Sequence, residues 1–357
     1  MENQQKKCSI NAVLSFIRED AETIRSIALT ERNPIFAMGI LPYYSLFYTA
    51  CAEFLNSVEG ISYQSELTDE ISIIRNHIKD STDGFSKMCR RICEIDEMND
   101  ADFKSKIVFQ FLRNPSFYYN LGISFDEDRH PVLNTQDVSS YILNDGEHNY
   151  DIAKEIGAFV NSICKGFSDS NINLNIERIR TSIRVPYYYD TNTHRPDPFF
   201  TSQYSLEYRL FFLKHLCKIN FVIYLLRPLL SENNTWLFHI KYVALHHACI
   251  ALQRFVNHEM SNGKQNDYVN EVNRVCKEAI TFDNPELRNL MMHYQYPENN
   301  ASSMIITQSE SLYVLLNMCG ITESITAYSK RMDKLLSDIS NLLERHFDTQ
   351  NIKLIQY

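Results

Sequence analysis

The chain has 357 residues, 44% of them apolar, and a formal charge of −9. It can bury a substantial core, and no global field draws it to nucleic acid or to anionic lipid. Nine glycines and ten prolines are poor material for a sheet protein with many tight turns and suit long helices.

The opening "MENQQKKCSINAVLSF" has no apolar stretch of signal-peptide type, so a soluble, cytoplasmic protein is expected. Helical spacing begins over residues 10–29, where Ala12, Ile17, Ile24 and Ile27 recur. Residues 34–57 are largely apolar and fit a core helix, and a long helix or helix pair is expected over 65–96. Pro115, Gly122 and Pro131 interrupt 100–145, which predicts shorter helices there. Over 149–167, Ile152, Ile156, Phe159, Val160 and Ile163 line one side of an amphipathic helix. "NINLNI" (171–176) alternates with period two and fits a short strand or a continued helix equally well.

"VPYYYDTNTHRPDPFF" (185–200) holds three prolines and no usable period. It divides the chain into an N-terminal α-helical region (1–184) for regulation or recognition, a linker (185–202) and a C-terminal helical bundle (203–357). Helices are expected near 203–230, 234–261, 264–280, 284–296 and 308–346, with a kink or break near Gly320. The most apolar run, 211–230, is interrupted by Lys214, His215, Lys218 and Arg227, so it reads as a buried helix and not a membrane span. The nine cysteines show no CxxC pair and read as buried free thiols in a reducing cytosol. The fold class expected is all-α, its bundle built of antiparallel neighbours.

"DNPELRNLMMHYQYPE" (283–298) carries the chemistry. Asp283 or Asn284 can cap the helix, Pro285 suits its first position, and Glu286 favours the positive end of its dipole. Leu287, Leu290, Met291 and Tyr294 share a buried face; Asn289, His293 and Tyr296 share a polar one. Arg288 lies five positions before His293, about 140° around an ideal helix. Cleaving RNA without a metal requires the 2′-hydroxyl to lose a proton and the leaving 5′-oxygen to gain one. Histidine can serve either step near neutral pH. A guanidinium meets the charge that develops on phosphorus, and Asn289 can orient the imidazole or the phosphate. One histidine does not easily act as both acid and base, and a second copy related by a two-fold axis would supply the other.

"LRNLMMHY" (287–294) resembles the signature of the HEPN superfamily: an arginine, a polar residue, three further residues and a histidine on a late helix of a helical bundle. Arg288, Asn289 and His293 fill those positions, and Tyr294 follows. The resemblance implies an all-α homodimer whose paired Arg–His sites meet in a cleft. It also implies RNA as substrate, cleavage to a 2′,3′-cyclic phosphate, and a toxin–antitoxin or phage-defence setting with an antitoxin or regulatory partner. No metal or other cofactor is expected. The resemblance is confined to the C-terminal part of the chain. The alternative is a non-catalytic HEPN-like helical interaction or nucleotide-binding module.

Three further clusters bear on this reading. Arg178, Arg180 and Arg184, with Arg195 further on, beside Tyr187, Tyr188 and Tyr189 suit single-stranded RNA through phosphate contact and base stacking, against a solvated hinge. With Tyr294 and Tyr296 the first three arginines complete the expected substrate contacts. "FLRNPSFYYNLG" (111–122) repeats the Leu-Arg-Asn triplet with Tyr118 in place of histidine, a decayed second copy or a coincidence. His239 and His246 lie seven apart on one helix face without a third ligand nearby, which reads as core or interface and not metal. Walker A, GxGxxG, HExxH and GxSxG motifs are absent, so ATPase, dehydrogenase, metalloprotease and α/β-hydrolase readings lack support.

Overall fold

A computed structural model describes residues 2–63, 65–78, 84–114, 118–142, 146–166, 183–282, 284–295 and 311–357. Among them the chain is predominantly helical, with twelve α-helices and one four-stranded sheet. The first two helices, α1 (Glu2–Thr30) and α2 (Pro34–Glu59), follow the expected apolar periods. Asn33 caps α2 by accepting from the backbone of Ile35 and Phe36, and Gly60 ends it with φ 66°. The span expected as a long helix or a pair is a pair, α3 (Thr68–Asn76) and α4 (Phe85–Lys106). By length and composition, residues 34–58 could cross a bilayer, but the helix is mostly buried against its neighbours.

The sheet is the main departure from the all-α expectation. Strand β1 (Leu121–Phe125) pairs antiparallel with β2 (Pro131–Asn134), in the segment expected to form short helices. Strand β3 (Tyr187–Thr191), inside the expected linker 185–202, adds to the other edge of β1, and β4 (Ile355–Gln356) adds to β3. Leu121, Ile123 and Phe125 alternate along β1 and are buried, which is the period of a strand. Pro131 sits at the first position of β2, opposite a bulge at Ser124/Phe125, where a missing N–H is tolerated. Pro131 therefore opens a strand and Gly122 lies within one, while Pro115 lies outside the described residues.

After β2 come α5 (Thr135–Ser139) and α6 (Gly146–Gly166); after β3 comes α7 (Leu206–Asn220). Helix α7 runs on through a π-helical turn, 221–226, in place of one helix to 230. Helix α8 (Thr235–Ser261) is the central rod, with every residue from Trp236 to Leu245 buried. A helix apolar around its circumference must be enclosed on all sides. Its one buried ammonium, Lys241, is met by Asp333 at 2.8 Å. On it pack α9 (Asp267–Ile280), α10 (Pro285–His293) and α12 (Ile325–Glu344), while α11 (Ser311–Met318) packs on α1. The break expected near Gly320 separates α11 from α12, and Gly320 has φ 76°.

One hydrophobic core runs from Ala12 to Ile352 and draws on both sides of 185–202. Helix α1 packs on α6, α8 and α11, and α10 packs on α2 as well as α8. The helix that carries the sequence motif is thus held largely by helices of the N-terminal half.

Candidate functional site

Helix α10 begins as its sequence predicts. Asn284 is the cap, accepting from the N–H groups of Glu286 and Leu287 at 3.0 Å each, while its Nδ2 donates to the carbonyl of Cys319 at 2.8 Å. Pro285 occupies the first helical position. The other end is less ordinary. Tyr294 closes the helix with φ 51°, a left-handed conformation that costs a non-glycine residue about 1 kcal/mol or more.

What holds that end is a pair of polar relays. In the outer one, Glu53 of α2 faces His293, with 3.0 Å between Oε2 and Nδ1. Arg75 of α3, almost fully buried, lies 3.7 Å from Glu53 Oε1 and 3.3 Å from His293 Nδ1, and donates to the carbonyl of Met292 at 3.4 Å. A carboxylate at Nδ1 requires that nitrogen to carry hydrogen, so the nearby guanidinium acts on the ring as a charge and not as a donor. Burial pulls Arg75 below its ordinary pKa and Glu53 opposes this. In the inner relay, Asp20 Oδ2 of α1 accepts from the Tyr294 hydroxyl at 2.7 Å and lies 2.8 Å from His239 Nδ1 of α8. The other ring nitrogen of His239 meets the carbonyl of Met291. Phe16 and Phe47 pack edge-on against Tyr294. The last turn, Met291 to Tyr294, is therefore tied residue by residue to α1, α2, α3 and α8. The Arg75 guanidinium meets the Met292 carbonyl, as the negative end of a helix dipole favours.

The residues expected from sequence fall into three groups. His293 is one-third exposed, with Nδ1 fixed from behind; its Nε2 has no hydrogen-bond partner among the described residues. Arg288 and Asn289 are half-buried on the same helix, and neither makes a side-chain hydrogen bond or ion pair among the described residues, so nothing there joins them to His293. Tyr294 does not line a surface: it is fully buried, and burial beside Asp20 pushes its phenol well above the ordinary value. Its place as a substrate contact is corrected to a structural one. Arg184 pairs with Glu127 in the β1–β2 turn at 3.4 Å, beside Asp126 and Asp128, and no bond links it to α10. Arg178, Arg180 and Tyr296 lie outside the described residues.

The repeated triplet at 111–122 does not start a helix at Arg113. That residue ends a 3-10 turn and donates to the carbonyl of Ile107, and Tyr118 is buried against Asp100. His239 is a core residue, as one reading of its helix face held, but it touches α10 directly. No group of metal-ligating side chains occurs among the described residues.

Glu53, Arg75 and Asp20 were not singled out in the sequence. Glu53 did leave a signal, as the one Asp, Glu, Lys or Arg between residues 34 and 58. Arg75 is an arginine on the buried face of a short amphipathic helix. Asp20 stands in a charge run, "REDAE", with nothing local to mark it.

A further histidine–carboxylate pair lies elsewhere, at the wall of a small cavity that Tyr43, Phe221 and Lys218 also line. His77 Nε2 is 2.7 Å from Asp137, and Ser140 Oγ is 2.7 Å from His77 Nδ1. The order Ser–His–Asp has the form of an activated nucleophile. But the Ser140 hydroxyl also lies 2.6 Å from the carbonyl of Asp137 in its own helical turn, so it closes the end of α5. Comparison with models of known protein families, with curated proteins and with solved structures gives no match for this chain.

Proposed function

We propose that the protein is a metal-independent endoribonuclease of HEPN type that works at the surface formed by α2, α3 and α10. The observation that carries this reading is the setting of His293. Its Nδ1 is fixed by Glu53, and a buried guanidinium stands behind the ring. A carboxylate at one ring nitrogen orients the imidazole and fixes which nitrogen is left to exchange a proton.

In the reaction, Nε2 of His293 takes the proton of the 2′-hydroxyl. The 2′-oxygen bonds to phosphorus and the bond from phosphorus to the 5′-oxygen breaks. The leaving oxygen receives its proton from the protonated His293 of a second copy, which makes a homodimer the working form. Arg288 meets the charge on the phosphoryl oxygens, with Arg75 adding a fixed positive charge behind the ring. Asn289 orients the phosphate by hydrogen bonds. The products are a 2′,3′-cyclic phosphate and a free 5′-hydroxyl: one proton passes from the 2′-hydroxyl to one histidine, and one passes from the other histidine to the leaving oxygen.

The test is RNA cleavage in EDTA by the purified chain, with product ends mapped. Wild type is expected to leave cyclic phosphate ends, and His293→Ala to lose at least about 10²-fold in rate. Wild type that cuts no RNA, or a His293→Ala variant that cuts as fast, sinks the proposal. A second reading, a non-catalytic module of the same fold, is favoured by how much of the motif's last turn serves to hold helices together. It predicts no cleavage, and a His293→Ala variant that differs from wild type only in melting temperature.

A further inference from the structure

Beneath His293 the Asp20–His239 pair poses a proton-counting problem. Both ring nitrogens of His239 face oxygen: Nδ1 faces Asp20 and Nε2 faces the carbonyl of Met291. A carbonyl oxygen never donates, and the Tyr294 hydroxyl already spends its hydrogen on the same oxygen of Asp20. A neutral imidazole beside a carboxylate would turn one lone pair onto an acceptor. The pair must therefore hold one proton more than that, either as a second ring hydrogen or as a carboxyl hydrogen given to Nδ1.

The surroundings favour keeping it. Asp20 is fully buried, and its Oδ1 meets no donor among the described residues. A bare carboxylate oxygen in an apolar wall is costly, and sharing a proton with the ring reduces that cost. Other titratable groups near the pair are Tyr294, Cys51 of α2 and Glu19 of α1. Burial pushes the Glu19 carboxyl up to about 7, so near neutrality it carries only part of its negative charge.

We propose that Asp20 and His239 are positioning residues for His293, a proton-bearing strut that fixes the carbonyl of Met291 and the ring of Tyr294, and so sets where the imidazole between them points. Neither residue can touch a substrate, being at most 1% exposed. The proposal rests on the reading of His293 as the working imidazole, and its test is made separable from that reading.

The primary readout is ring-nitrogen NMR of histidine-labelled full chain, in wild type, His239→Gln and Asp20→Asn. Two hydrogens on the His239 ring, or one shared between Nδ1 and Asp20, are expected in wild type. The His293 ring signals are expected to move in both variants while circular dichroism is unchanged. A single, unshared hydrogen on His239, or variant His293 signals that superimpose on those of wild type, overturns the proposal. Asp20→Asn keeps the shape of the side chain, so a folded variant is at hand if the glutamine disturbs packing. In the cleavage assay, kcat is expected to fall about 10²-fold in both variants with KM held, the signature of a displaced reacting group. Wild-type kcat in both variants also overturns it. If wild type cuts no RNA, the ribonuclease reading fails and the ring signals alone decide this one.

Discussion

Among the described residues two histidine–carboxylate pairs are shut off from solvent with nearly equal contacts, 2.8 Å for His239–Asp20 and 2.7 Å for His77–Asp137. They differ in what meets the other ring nitrogen. For His239 it is the carbonyl of Met291, which can only accept; for His77 it is the hydroxyl of Ser140, which can accept, or donate when its hydrogen leaves the carbonyl of Asp137. The first pair must carry an extra proton, and the second can stand with a neutral ring. Burial, with Lys218 and Lys214 on its side, outweighs Asp137 and pushes His77 down to about 4. The lesson is that the carboxylate alone does not set a buried histidine's charge. The partner on the far side of the ring does.

The comparison is broken most directly by removing the carboxylates. Asp20→Ala takes from the buried His239 ring the group that shares its proton and from the buried phenol its acceptor, and is expected to cost about 3–5 kcal/mol. Asp137→Ala leaves a neutral ring short of one hydrogen bond and is expected to cost about 1–3 kcal/mol. Urea unfolding at pH 7 measures both. Equal losses would mean that the far-side partner does not matter.

The next largest effect is in pH. In the unfolded chain His77 protonates near its ordinary 6.5, and in the folded chain near 4. Between those values the unfolded state binds more protons, so stability rises with pH across the window. The contribution is full above about 6.5 and is lost as pH falls through 4, about 3 kcal/mol in all. His346, also pushed to about 4 by burial, acts over the same window. The expected result is therefore a partial flattening of the stability profile in His77→Gln between pH 6.5 and 4. An unchanged profile would show that His77 is charged in the folded protein.

A smaller effect is expected from Tyr294→Phe, which removes one hydrogen bond to Asp20 and leaves the ring packing in place. Hydrogen bonds to charged groups contribute about 1.5–3 kcal/mol. The loss should fall in that range by chemical denaturation, and it should loosen the left-handed end of α10, seen as faster amide exchange at Tyr294. A neutral substitution would show that Asp20 and His239 hold that end without the phenol.

How much of this was legible in the sequence follows from the range of each interaction. The start of α10 was readable because Asn284 and Pro285 act on N–H groups two and three residues away. The break at Gly320 and the apolar faces of α6, α8 and α12 are likewise local. The sheet was not readable, because β1 pairs with β3 across more than sixty residues and the local signals, Gly122 and Pro131, mean different things beside a helix and beside a strand. Tyr294 shares a face with Leu287 and Leu290, which predicted its burial; the family signature drew it toward a surface role that its position does not support. Glu53, Arg75 and Asp20 acquire meaning only from α10, 218 residues beyond Arg75 and 274 beyond Asp20. No window of sequence joins them.

The smallest effect tests the comparison where it is most exposed. Ser140→Ala removes the one group that can donate to His77 Nδ1 at 2.7 Å and leaves Asp137 and the lysines untouched. If a neutral ring there needs a donor, the acceptor is left buried and unpaired, at a cost of about 1 kcal/mol. The ring would then gain by taking up a proton, so its titration should move upward from 4 and the acid loss of stability should shrink. If the Ser140 hydrogen instead stays with the carbonyl of Asp137, 2.6 Å away, the substitution frays the end of α5 and leaves the His77 titration where it was. The two outcomes differ in the direction of a pH profile and not merely in its height, so a change of this size is still enough to say which partner the hydroxyl serves.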